Sequence, residues 1–311
     1  MDLRRPALAA SVITTLVLAV VLWTRPAPEP PLHALAAGVL AGAGVPGLLL
    51  PAGSSPHHHA LRPTEADLLH RAALVLWVGP GVEGFMPRVL EGLPPGVRHL
   101  RLDQAPGLTR RSARSGGLWA GGAPEHPAGA GRQDAPGHAG GDDPHVWLDP
   151  HNAAAWVGAI AGALAQADPA NAALYRSNAA QLQQRLARLD DELRARLAPL
   201  AGIPYLVYHD AYQHLESRYG LTPAGAVSPD PDHPPGARRL AELRELVRAG
   251  GARCLFVEPQ FPPDLAETLA EDLPLRIATL DPLGAALAPG PELYFGLLRG
   301  LAQGLADCLG Q

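Results

Sequence analysis

Lysine is missing from this 311-residue chain: all 25 basic residues are arginine. A phosphate-cradling P-loop needs its lysine on the phosphates, and a pyridoxal enzyme needs one for its Schiff base, so both classes are excluded. An excess of positive charge is missing too. With 30 acidic residues, a net charge of -5 and a pI near 6.2, the chain lacks the basic balance of a nucleic-acid surface. Aromatic residues make up only 5% against 47% hydrophobic in all, so any core must be aliphatic. Cysteine occurs twice, at Cys254 and Cys308, without CxxC spacing, which argues against a redox motif or a Cys-based zinc site. In a reducing cytosol the two read as buried thiols. In an exported chain a bridge is favoured, and closing a loop with a sequence separation of 54 would contribute roughly 4 kcal/mol by the chain-entropy estimate.

The length suits two domains of ordinary size or one large one. Arg4-Arg5 followed by the apolar run Ala7 to Trp23 has the basic start and hydrophobic middle of an export signal or a membrane anchor. A proline-rich stretch, Thr24 to Pro31, then rules out a good strand. Beyond it, strands and helices alternate. Leu32 to Gly44 suits a packed helix and Val45 to Leu50 a short strand. Thr64-x-x-Asp67 is a capping-box-like start for a helix to Arg71, Ala73 to Val78 is a strand, a helix follows around Phe85 to Leu90, and a strand lies near Arg98 to Leu102.

From Gln104 to Asp142 periodicity gives way to Gly, Ala, Pro and Arg, with His126, Asp134, His138 and Asp142 scattered through it. Such a segment buries too little apolar surface to offset its ordering entropy, so 104–142 reads as a mobile insertion. Its histidines are either weak metal recruiters or incidental to a solvated linker.

Asp149-Pro150 and Asp168-Pro169 each pair an N-cap with a first-turn proline. The second opens a long amphipathic helix, with Leu182, Leu186, Leu189, Leu193 and Leu197 at three- and four-residue steps. The second half repeats the plan: strands at Tyr205 to Tyr208, Cys254 to Val257 and Leu275 to Leu280, and helices at Ala211 to Tyr219, Pro235 to Ala249, Pro263 to Asp272 and Glu292 to Leu309. The expected fold class is α/β: two lobes with parallel sheets flanked by helices, joined by one long helix. The boundaries fall at 1–31 (export segment), 32–167 (first lobe), 168–200 (linking helix) and 201–311 (second lobe).

Four metal-capable side chains stand where strand-like runs end: His57, His145, His209 and Asp281, separated by 88, 64 and 72 positions. Ligands of open parallel sheets bind at the carboxyl ends of strands, so only the fold can assemble the four. Three imidazoles and a carboxylate match the donor set of tetrahedral zinc better than that of manganese, which takes more oxygen. Each residue has a plainer explanation as a surface histidine or a helix cap. His58 and His59 compete with His57; His33, His70 and His99 read as packing or surface residues, and His151 and His233 as cap or loop residues. His214 reads as packed inside its helix, and Glu258, at a strand end, as a residue that shapes the crevice.

These segments also carry a resemblance. Ser55-Pro56-His57 with Leu61-Arg62-Pro63, Leu76-Trp77-Val78-Gly79-Pro80, Asp143-Pro144-His145-Val146-Trp147-Leu148-Asp149-Pro150, Tyr208-His209-Asp210-Ala211-Tyr212, Phe256-Val257-Glu258-Pro259 and Leu280-Asp281-Pro282 run in order along the chain. Together they resemble the periplasmic zinc-binding components of bacterial zinc-uptake ABC transporters, within the wider family of metal-binding solute receptors. The resemblance implies zinc held as cargo between two lobes by His57, His145 and His209, with Asp281, a water or another carboxylate in fourth place. It also implies a Cys254–Cys308 disulfide, a periplasmic monomer and a permease partner in the inner membrane, with no enzymatic activity and no nucleic-acid partner. The alternatives are a manganese receptor of the same fold and a zinc hydrolase using Glu258 as base. The chain departs from the pattern in its insertion, which carries few histidines where zinc-type relatives are often dense in them.

Overall fold

The computed structural model describes residues 31–49, 59, 61–119, 141–228 and 235–311. The expected export segment, His57, His58, His126, Asp134, His138 and His233 lie outside them. The first described element, α1 (Pro31–Leu40), is small and apolar on nearly every face and is buried almost all round. α2 (Pro63–Arg71) starts at Arg62, whose N–H donates to the Glu65 carboxylate at 2.7 Å. The carboxylate that caps it is therefore Glu65, not Asp67. β1 (Leu74–Trp77), α3 (Met86–Glu91) and β2 (Arg98–Arg101) follow, and the two strands pair in parallel from Leu74↔Arg98 to Trp77↔Arg101. Residues 44–49 form no strand, contrary to expectation. Pro46 cannot donate to a ladder; its carbonyl accepts from His33 instead at 2.8 Å, and Val45 is 73% exposed.

α4 (Pro150–Ala167) opens as expected, with the Asp149 carboxylate accepting the His151 N–H at 2.8 Å and Pro150 in the first turn. The next helix begins differently. Asp168 turns its carboxylate to the Asn171 amide and the Tyr175 hydroxyl, at 2.7 and 2.8 Å, so Pro169–Asn171 form a 3-10 turn and α5 starts at Ala172. α5 (Ala172–Leu197) buries Tyr175, Ala179, Leu182, Leu186, Leu189, Leu193 and Leu197 in one stripe. Over 26 residues it spans about 39 Å, and each buried leucine contributes about 1.5–3 kcal/mol of transfer free energy. The stripe packs on α1, α4 and α9 (Leu293–Leu309). Arg185–Glu292 and Arg299–Glu192 ion pairs along its outer edge hold the register with α9.

The second half forms a four-stranded parallel sheet in the order β4-β3-β5-β6, built from β3 (Tyr205–His209), β4 (Pro223–Ser228), β5 (Cys254–Val257) and β6 (Arg276–Thr279). Helices α6 (Gln213–Tyr219), α7 (Ala237–Arg248) and α8 (Asp264–Ala270) connect them. β4 has no counterpart in the expected strands. Its sequence, Pro-Ala-Gly-Ala-Val-Ser, is small because Leu118 lies on it: a Cβ at Gly225 would meet the Leu118 Cβ at 2.6 Å. Gly220 closes α6 in the left-handed conformation, with φ +69°. Cys254 and Cys308 form a disulfide that ties the start of β5 to the end of α9. One aliphatic core runs without interruption from α1 through α4, α5 and α9 to β3 and β5, so the long helix is built into both halves.

Candidate metal centre

The strand order places a crossover reversal at β3: the chain leaves it for β4 on one side and returns to β5 on the other. The carboxyl end of such a switch strand opens into the crevice where α/β sheets bind ligands. His209 is the last residue of β3 and is buried.

From the other half, the turn Asp143-Pro144-His145 delivers His145 to the same place. The two imidazole centroids are 4.9 Å apart and inclined at 76°, and both side chains are less than 5% exposed. The turn is held from inside. Asp143 Oδ1 accepts the His145 backbone N–H at 3.0 Å and lies 2.8 Å from its Nδ1, so one carboxylate fixes both backbone and ring. The short 3-10 turn Val146–Leu148 that follows is locked to the second half. The Trp147 indole donates to the Pro282 carbonyl at 2.9 Å, and the Tyr294 hydroxyl donates to the Trp147 carbonyl at 2.6 Å.

His209 has its own carboxylate: Glu258, beyond the end of β5, lies 3.5 Å from its Nδ1. Burial is the largest single influence and presses the His209 pKa down, but Glu258, Asp210 and Asp143 together outweigh it and hold the imidazole above its ordinary value. Both histidines thus have a carboxylate at Nδ1, the arrangement that fixes tautomer and ring orientation in metal-ligating histidines. Neither Asp143 nor Glu258 stood out as a partner in the sequence, because an Asp-Pro pair and a Glu-Pro pair both read as turn devices.

Asp281 follows β6 by two residues, next to the Pro282 that receives the Trp147 indole. Its Oδ1 accepts from Gln260 at 3.1 Å and from the Leu283 and Gly284 amides at 3.0 Å, while Oδ2 accepts from the Ala285 amide. His59 is bonded through Nε2 to Glu65 at 2.8 Å, with its ring against Phe85. His214 is fully buried: Nε2 donates to the Asp143 carbonyl at 3.2 Å, and Nδ1 lies 3.4 Å from the Asn152 amide. His70, His99 and His151 are exposed. Among the described residues no three metal-capable side chains converge on one position, and the third predicted imidazole, His57, lies outside them.

Residues 104–119 differ from the mobile insertion expected there. Ser112 pairs with Asp142, and the Asp143 N–H donates to the Arg111 carbonyl at 2.7 Å. Arg114 extends its guanidinium to Asp210 at 2.9 Å and to Glu216, whose other oxygen accepts the Tyr205 hydroxyl at 3.0 Å. Burial pushes Asp210 up to about 7, even with Arg114 favouring its charged form.

A family model described as zinc-uptake complex component A, periplasmic (ZnuA), matches residues 27–308. The chain is 37% identical to the high-affinity zinc uptake system protein ZnuA of Brucella abortus over 300 residues, which cover 90% of this chain and 89% of that one. It is also 37% identical to the protein of the same name from Paracoccus denitrificans, with 96% and 98% covered. Among solved structures, a crystal structure of ZnuA superposes with a TM-score of 0.72 at 22% identity, covering 90% of this chain and 96% of that one. A manganese-bound periplasmic metal-binding protein from Candidatus Liberibacter asiaticus gives 0.72 at 17% identity, with 91% and 98% covered, and shares the fold. Matched along nearly its whole described length by that model and by these relatives, the chain belongs to the periplasmic zinc-uptake complex component A family.

Proposed function

We propose that this chain captures zinc in the periplasm and hands it as cargo to an ABC-type permease in the inner membrane. The observation that carries the reading is the meeting of His145 and His209: two buried imidazoles from opposite halves, 4.9 Å between centroids, each with a carboxylate at Nδ1. With Nδ1 turned to the carboxylate, Nε2 is the ligating nitrogen on both rings. His57 supplies the third imidazole; His59, its nearby competitor, is already engaged by Glu65. The fourth place goes to an oxygen donor, from Asp281, a water or another carboxylate; Asp281 Oδ1 takes three donors and Oδ2 one amide. Three nitrogens and one oxygen favour zinc over manganese.

The protein works as a receptor and not as an enzyme, with Glu258 supporting His209 instead of activating a metal-bound water. It functions as a monomer: residues 1–31 direct export or anchor the chain, 32–167 and 201–311 form the lobes, and 168–200 join them. Competition against a chromophoric zinc chelator tests this. Substituting His145→Ala should weaken zinc binding by two orders of magnitude or more, and manganese should fail to displace zinc at equal concentration. Unchanged zinc affinity in the variant would overturn the reading.

A further inference from the structure

The short run from Arg111 to Arg114 touches both histidine-bearing turns. On one side it forms a rung of ladder with the residues just before His145: Ala113 N–H to the Gly141 carbonyl at 2.9 Å, the Ser112↔Asp142 bridge, and the Asp143 N–H to the Arg111 carbonyl at 2.7 Å. On the other side Arg114 reaches the residue just after His209. Its guanidinium forks between Asp210, at 2.9 Å, and Glu216 on α6, and Glu216 in turn accepts the Tyr205 hydroxyl at the start of β3. Strand start, strand end and following helix are thus cross-linked through one planar cation. The segment is held against that half independently: Gln213 donates to the Ser112 carbonyl at 3.1 Å and Arg239 to the Leu118 carbonyl, while within the segment the Trp119 ring covers the Arg114 guanidinium at 4.1 Å.

We propose that Arg114 is a positioning residue for metal capture, setting the distance and angle between His145 and His209 by fixing the β3–α6 turn to the segment that also fixes the Asp143–His145 turn. The proposal rests on His145 and His209 being ligands. Asp210 and Glu216 are 11% and 1% exposed, so removing Arg114 leaves two buried carboxylates without their shared cation. Two like charges left facing each other in a closed site move apart or admit water, and either movement shifts the turn that carries His209. Lysine cannot replace the fork, because a single ammonium lacks the planar set of donors that bridges two carboxylates.

The test compares the full chain with Arg114→Ala, using zinc affinity from chelator competition and the visible spectrum of the cobalt-saturated protein, which reports ligand geometry independently of affinity. The expected result is a loss of about ten-fold in zinc affinity, the lower end of what removing a ligand's supporting partner costs, together with an altered cobalt spectrum. The double variant Arg114→Ala/Glu216→Gln, which removes one of the two stranded charges, should recover part of the loss. An affinity within about two-fold of the parent, or a loss with the cobalt spectrum unchanged, overturns the proposal. Should Arg114→Ala not fold, Arg114→Lys carries the same test: a shifted cobalt spectrum supports the role and an identical one refutes it. His209→Ala separates the two levels. If it binds zinc normally the site itself is misassigned, whereas if it loses zinc while Arg114→Ala does not, only the positioning role fails.

Discussion

Protons and zinc compete for the same imidazole nitrogens, so the acid limb of zinc binding counts the histidines that hold the ion. A ligand histidine with an ordinary pKa of about 6.5 is almost wholly neutral at pH 7.5 and about nine-tenths protonated at pH 5.5, which lowers apparent affinity about ten-fold per histidine across that interval. His209 is held above the ordinary value because burial, which lowers it, is outweighed by Glu258, Asp210 and Asp143 together, so its share of the loss starts at higher pH. Three histidines together predict a fall of about a thousand-fold between pH 7.5 and 5.5. Chelator competition at half-unit pH steps measures this directly, with thermal melts at each pH to confirm that the protein stays folded. Replacing Glu258 by Gln should delay the onset of the fall on acidification, since the charge that raises His209 is gone. A fall of no more than about ten-fold over the same range would refute a site built on three imidazoles.

Two further predictions concern stability. Reducing the Cys254–Cys308 bridge, or replacing both cysteines by Ser, frees α9 from β5. By the chain-entropy estimate it should cost roughly 4 kcal/mol, a drop of about 10 °C in Tm; a melting curve unmoved by reductant contradicts this. Glu83 is buried, accepts the Val78 and Gly79 N–H groups, and has its pKa raised to about 7 chiefly by burial. A group bound more tightly by protons in the folded state stabilises it below its unfolded pKa and loses that contribution as pH rises. Stability should therefore decline between pH 4.5 and 7, by up to about 3 kcal/mol from this residue. Glu83→Gln should flatten the decline in denaturant titrations, and an equally steep decline in the variant would contradict the assignment.

The parts of the fold that could be read in the sequence are those where one physical signal dominates. The leucine stripe of α5 and the aliphatic strands β1, β3 and β5 are written in hydrophobic period, and Gly220 and Asp149-Pro150 punctuate as local rules require. β4 escaped because its small residues answer to Leu118, from a segment more than a hundred positions earlier, and not to any pattern of their own. The same separation hid the docking of residues 111–119. It reads as part of a mobile insertion until the fold brings Asp210 and Glu216 to Arg114. At the site, His145 and His209 could be found from their place at strand and turn ends. Their carboxylates could not, since Asp143 serves as turn former and imidazole partner at once, and Glu258 meets His209 only through the β3-β5 pairing.

The central claim is that His145 and His209 close on a single zinc ion. A crystal structure of the zinc-loaded protein tests it most directly. The account predicts one ion bound by both Nε2 atoms at about 2.0–2.1 Å, with His57 completing the imidazole set and Asp143 and Glu258 still on the Nδ1 side. Zinc bound elsewhere, with His145 and His209 making no bond to it, would contradict the account.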